Sequence, residues 1–139
     1  MGPGELYRAV LEGIAYGVRH NLETMSVAGG AARRLVAVGG GTRGGLWTQI
    51  VSDVTGLPQE VTRESVGASL GDAMLAASAD GVDVSSWNPI VDTVQPDPTR
   101  PYEEFYAHYR SLYPATVDVA HFLAEQQHRS AHGDGSGPQ

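Results

Sequence analysis

The sequence predicts an α/β fold with parallel strands. Apolar residues step by three and four over residues 5–25, 46–54 and 70–77, the spacing of one helical face. Two short strand-like runs, residues 35–38 and 59–63, fall between those helices, and glycine or proline marks the junctions. Helix, strand, helix, strand, helix in that order implies βαβ units joined by right-handed crossovers.

In the first helix Leu6, Val10, Leu11, Ile14, Val18, Leu22 and Met25 share one face. Gly13 and Gly17 lie one turn apart within it, each costing about 1 kcal/mol relative to Ala, a cost that close backbone packing would offset. "AGG" at 28–30 supplies the C-cap, and Leu35 to Val38 then reads as a buried strand of the parallel kind. Leu46, Ile50, Val51 and Val54 form the second helix, stopped by Gly56 and Pro58. "QEVTR" is a weaker second strand. Leu70, Met74, Leu75 and Ala77 make the third helix, closed by Gly81. Residues 82–100 hold three prolines and no clean period, which predicts an extended surface segment without a strand. A last helix follows Pro101 and carries Tyr102, Phe105, Tyr106, Tyr109, Leu112 and Tyr113 on one broad face packed against the rest of the domain. Pro114 is expected to kink or split it. The expected organisation is one domain over residues 1–128 and a disordered tail over 129–139.

Composition narrows the function classes. A chain of 139 residues with 41% hydrophobic and 18% charged residues has the material for one packed domain. No apolar run approaches the ~20 residues of a membrane span, and "MGPGELYRAV" lacks a signal peptide's basic and apolar regions, so a cytoplasmic protein with no membrane partner is expected. The absence of cysteine excludes disulfides, thiolate metal sites and a cysteine nucleophile. A net charge of −7, with Arg33 and Arg34 as the only adjacent basic pair, argues against a nucleic-acid partner.

The densest motif is "VAVGGGTRGGLW" at 36–47, between a strand and a helix. Gly39, Gly41 and Gly44 fit G-x-G-x-x-G, and Glu60 and Glu64 lie about 20 residues on, where a dinucleotide fold places its ribose-binding acid. Glycine there lets backbone N–H groups approach an anion with no Cβ in the way. A small Rossmann-like dinucleotide module is one reading, and other nucleotide folds share the same turn. "GASLG" at 67–71 fits the G-x-S-x-G elbow around Ser69, with Asp83 or Asp92 and then His121 in the expected order. That hydrolase class needs a larger sheet, so close helix-to-sheet packing explains these small residues better. His128 and His132 stand at i, i+4 without a reinforcing carboxylate, and no metal site is expected. The aromatic run from Tyr102 to Tyr113 has only Arg110 for charge, so it reads as packing rather than base stacking.

Three stretches taken together, "YRAVLEGIAYGVRHNLE" at 7–23, "VGGGTRGGLWTQIVSDVTGLPQEV" at 38–61 and "ESVGASLGDAMLAASADG" at 64–81, resemble the C-terminal domain of FGGY-family carbohydrate kinases, xylulokinase-like members most nearly. "PDPTRPYEEFYAHYRSLYP" is similar to that family's final helix. The resemblance implies a partial RNase H-like domain of the actin-like ATPase superfamily. It also implies a kinase that moves the γ-phosphoryl of ATP to a sugar hydroxyl with Mg²⁺. By position, Gly39, Gly40, Gly41 and Gly44 would bind the nucleotide, with Gly44 standing where relatives often place Asn or Ser against adenine. Trp47 and Gln49 match the family's W-x-Q, Trp47 read as packing that fixes the loop. Asp72 stands where many members have Ala. No D-x-G-[ST] phosphate loop occurs in the sequence, and no aspartate matches a catalytic position, so no catalytic residue and no metal ligand is assigned to this chain. The expected partners are ATP or ADP, and a sugar held by a lobe this sequence does not contain. The sheet is expected to be incomplete, which predicts a fragment that is marginally stable or associates as a homodimer. A non-catalytic interaction fragment is the remaining alternative.

Overall fold

Pro3 opens the first helix with its φ already set for the α region and no N–H to leave unpaired. A computed structural model describes residues 2–133. Helix α1 spans Pro3–Val27, and the Glu5 carboxylate accepts the Gly2 N–H at 2.5 Å across its first turn. The chain leaves it through Gly29, at φ +94°, and the Gly30 N–H closes back onto the Met25 carbonyl at 3.0 Å. Strand β1 (Leu35–Ala37), a 3-10 turn (Gly40–Gly44) and helix α2 (Leu46–Thr55) follow. Gly56, left-handed at φ +68°, ends α2 by donating to the Ser52 carbonyl at 2.9 Å. Strand β2 (Gln59–Thr62), helix α3 (Ala68–Ala79), strand β3 (Ile90–Val94) and helix α4 (Tyr102–Gly133) complete the order. None of the described helices is long and apolar enough to cross a membrane.

The sheet order is β1-β2-β3. β1 and β2 are parallel, with Leu35 opposite Gln59 and Ala37 opposite Val61. β3 is antiparallel to β2, with Gln59 opposite Val94, so the sheet is mixed and the all-parallel expectation is corrected. Ile90, Val91, Thr93 and Val94 are the β-branched run that makes this strand. Pro89 and Pro96 bound it rather than interrupt it, which is why prolines in residues 82–100 did not exclude a strand.

Two compact units divide the chain, residues 1–103 and 104–139. In the first, α2 is the central helix. Ile50 and Val54 are each 1% exposed, and Val51, Ala15, Tyr16, Ala37 and Tyr102 complete the buried apolar set. Arg19 fastens the ends of three elements: it donates to the Val54 carbonyl at 3.1 Å, to Glu23 at 3.0 Å, and through two nitrogens to Glu103 at 2.7 and 2.9 Å. That guanidinium holds the Glu103 carboxyl below the usual range. The expected core stripe of α1 is offset from the buried one: Ala15 and Tyr16 face inward, while Leu6, Val10, Ile14 and Met25 are exposed. α3 likewise buries none of its residues, and the Leu70–Ala77 stripe is not a core face.

In the second unit α4 runs through Pro114 without a break, correcting the expected split. The missing Pro114 N–H removes one bond to the Arg110 carbonyl, and the turns on either side carry the helix past it. The Tyr106 and Tyr109 rings stack at 6.2 Å, with the Arg110 guanidinium 6.0 Å from the Tyr106 ring centre. Phe105, Leu112 and Tyr113 are exposed. The expected tail began at residue 129; helix continues to Gly133, and residues 134–139 lie outside the described residues.

Candidate functional site

The parallel pairing of β1 with β2 carries on past both strands to the glycine loop. The Gly39 N–H donates to the Ser65 carbonyl at 2.7 Å, and Gly39 then turns at φ +100°, ψ 172°, a conformation open essentially to glycine alone. Thr42 closes the 3-10 turn from within, because its N–H (3.2 Å) and its Oγ1 (2.8 Å) both donate to the Gly39 carbonyl. A Cβ at Gly41 would collide with the six-membered ring of Trp47, which lies directly beneath. Gly39 and Gly41 are thus required by the loop's own geometry.

Gly40 and Gly44 have no such requirement. Both are exposed, and a Cβ at either would meet nothing within 4 Å. The loop therefore presents bare backbone outward while being pinned at Gly39, Gly41 and Thr42. Gly41→Ala is expected to destabilise the protein by about 1–3 kcal/mol, since the half-buried indole ring must shift to admit a methyl group. The check is a thermal melt together with the emission of Trp47 in a Trp87→Phe background; unchanged emission would count against the contact.

The Trp47 indole Nε1 and the Gln59 Oε1 are buried without a hydrogen-bond partner in the described structure. Both residues line a cavity of about 260 Å³ along β1, with Val18, Leu35, Thr48 and Val51 among its other walls. Gln49 turns away from the loop, donating to Asp53 at 2.7 Å and to the Gln95 carbonyl at 2.9 Å. Asp53 also accepts the Asp97 N–H at 2.8 Å, so this pair anchors the segment that follows β3.

The other sequence candidates are dispersed. Glu60 is ion-paired with Arg34 across β1 and β2. Glu64 is held through its backbone by Asn88, at 2.9 Å to its N–H and 3.1 Å to its carbonyl. Ser69 sits in the first turn of α3 rather than at the tip of a strand-to-helix elbow. Asp83 accepts the Ser85 N–H at 2.9 Å, which holds its carboxyl below the usual range, and Asp92 accepts the Thr93 N–H at 2.7 Å. Asp83 serves a local turn, and Asp92 stands within β3 opposite Val61. Among the described residues no group of three His, Asp or Glu could hold a metal, and the side chain of His132 lies outside them. Ser65, which bonds Gly39 and Arg43 of the loop, and Asn88, which bonds Glu64, escaped the sequence reading; the one signal is Asn-Pro just ahead of a β-branched run.

Residues 1–79 match the FGGY family of carbohydrate kinases, C-terminal domain. The ribulokinase of Mycolicibacterium smegmatis is 35% identical over 115 residues, which is 81% of this chain and 20% of that protein. The xylulose kinase of Escherichia coli (strain K12) is 37% identical over 79 residues, 56% of this chain and 16% of that protein. Among solved structures, the xylulose kinase from Rhodospirillum rubrum superposes with a TM-score of 0.72 at 30% identity, covering 86% of this chain and 26% of that one. The chain thus spans about a quarter or less of the length of these relatives. With the family's sequence in its first 79 residues and the fold of its sugar kinases, the chain belongs to the FGGY family of carbohydrate kinases.

Proposed function

We propose that residues 39–44 form the adenosine-facing loop of an ATP-dependent carbohydrate kinase, which moves a phosphoryl group from ATP to a sugar hydroxyl. The observation that carries this reading is the pair of exposed glycines the fold does not need, Gly40 and Gly44, on a loop that is otherwise fixed. In open α/β sheets ligands lie beyond the carboxyl ends of the strands, which is where this loop leaves β1. The residues fit a nucleoside: the surface offers backbone polar groups, and no side chain of the loop blocks the approach at Gly40 or Gly44. Because Gly44 has no side chain, adenine would be held through backbone and shape.

The phosphates and Mg²⁺ would supply the transferred group and its charge neutralisation. No metal-holding group stands among the described residues, so this reading gives Mg²⁺ and the general base to other parts of the full kinase. The sugar is given to another part of the full kinase because the family resemblance implies it. Val36 and Val38, both about half exposed, lie on or beside β1, whose outer edge has no neighbour in the sheet among the described residues, and this is the surface through which two copies would associate.

The test is a titration of ADP into the uniformly labelled chain, following backbone amides. Saturable shifts confined to residues 39–45, competed by adenosine, support the reading. Tight NADH binding with no response to ADP would overturn it in favour of a dinucleotide module. Silence toward both would leave an interaction fragment.

A further inference from the structure

We propose that Asn88 is a positioning residue for the glycine loop, acting through Glu64 and Ser65. Its functional consequence rests on the nucleotide reading above; its structural basis does not.

β2 and β3 pair up to Thr62 opposite Ile90, after a register shift between Val61 and Thr62. Bulges of this kind re-aim the chain near functional sites. Just beyond, the ladder meets a chemical stop. The Pro89 carbonyl accepts the Arg63 N–H at 3.0 Å, but proline has no N–H to return. The side chain of the preceding residue takes over. Asn88 Oδ1 accepts the Glu64 N–H at 2.9 Å, and Asn88 Nδ2 donates to the Glu64 carbonyl at 3.1 Å. A carboxamide carries donor and acceptor side by side, as a peptide group does, so it extends the pairing by one residue. Aspartate would keep only the acceptor, and alanine neither.

Ser65 is the next residue, and it faces the loop from both its backbone and its side chain. Its carbonyl accepts the Gly39 N–H at 2.7 Å, and its Oγ accepts Arg43 Nε at 3.3 Å. A run of glycines cannot hold its own shape, because each has the widest conformational freedom of any residue. The shape must be imposed from outside. Thr42 fixes the turn internally, and Ser65 fixes its entry at Gly39 and its far side at Arg43. Asn88 fixes the residue to which Ser65 is joined.

The experiment compares the full chain with Asn88→Ala, Asn88→Asp and Tyr102→Phe. The last removes the hydroxyl that bonds Arg8 at 2.8 Å and Glu12 at 3.0 Å, away from the loop. Hydrogen exchange at the Gly39 amide, ADP affinity and melting temperature are measured on each. Asn88→Ala should speed Gly39 exchange and weaken ADP about tenfold, the worth of two neutral hydrogen bonds. Asn88→Asp should fall between, and Tyr102→Phe should lower the melting temperature with both loop readouts unmoved. Unchanged Gly39 exchange in Asn88→Ala overturns the proposal. So does Tyr102→Phe shifting the loop readouts in step with its melting temperature, because the effect would then be general stability. If the unaltered chain ignores ADP, the nucleotide reading falls and Gly39 exchange alone decides the role of Asn88.

Discussion

Replacing Ile50 by alanine is expected to lower the unfolding free energy by about 3–4 kcal/mol, the upper part of the range for a fully buried aliphatic side chain. Ile50 is 1% exposed at the centre of α2, the helix that packs against α1 and stands over the sheet. The removed carbons leave a cavity in a close-packed core whose other buried apolar residues in this unit are Ala15, Tyr16, Ala37, Val51, Val54 and Tyr102. A domain of this size has about 5–15 kcal/mol in all, so one truncation removes a large share. Urea denaturation reads the loss as a lower midpoint with an unchanged slope. Val36→Ala on the half-exposed face of β1 is the comparison, expected to cost under about 1 kcal/mol. Equal losses for the two variants would mean that α2 is not the centre of the core.

How much of this was legible follows from which forces act locally. The second helix could be read to its last residue because its stop signal, Gly56 at positive φ, is a property of one residue. The glycine loop was legible for the same reason, since G-x-G-x-x-G between a strand and a helix is a backbone requirement written in composition. Which glycines serve the turn and which leave it bare was not legible. That division depends on Trp47 lying under Gly41, a contact made only when α2 folds back on the loop. The face of α1 was misread in a related way: the period of three and four is intrinsic, but the side that is buried depends on where a helix of 10 residues seats against one of 25. β3 was hidden because prolines that bound a strand and prolines that break one look alike until a partner strand is present. Asn88 shows the limit most sharply, because a side chain replacing a backbone ladder is visible only once the register of two strands is known.

Between about pH 10 and pH 12 the protein is expected to lose about 2–3 kcal/mol of stability through Tyr16. Tyr16 is 8% exposed, with its ring edge-on to Tyr102 at 6.2 Å. Burial, reinforced by the Glu12 carboxylate, pushes its hydroxyl from the ordinary 10 up to about 12. A phenol whose pKa is higher folded than unfolded favours the folded state fully below the unfolded value. The stability it gives is lost as pH climbs toward the folded value, where the unfolded chain has ionised and the folded one has not. Tyr102 is raised in the same direction, again chiefly by burial, so the two rings respond together. Urea midpoints at about pH 9 and about pH 11.5 measure the loss. Tyr16→Phe, which cannot ionise at that position, should remove the larger part and leave the smaller contribution of Tyr102. If the variant keeps the full alkaline slope, the transition belongs to other groups, and the contact between α1 and the start of α4 at Tyr102 is not what the alkaline transition breaks.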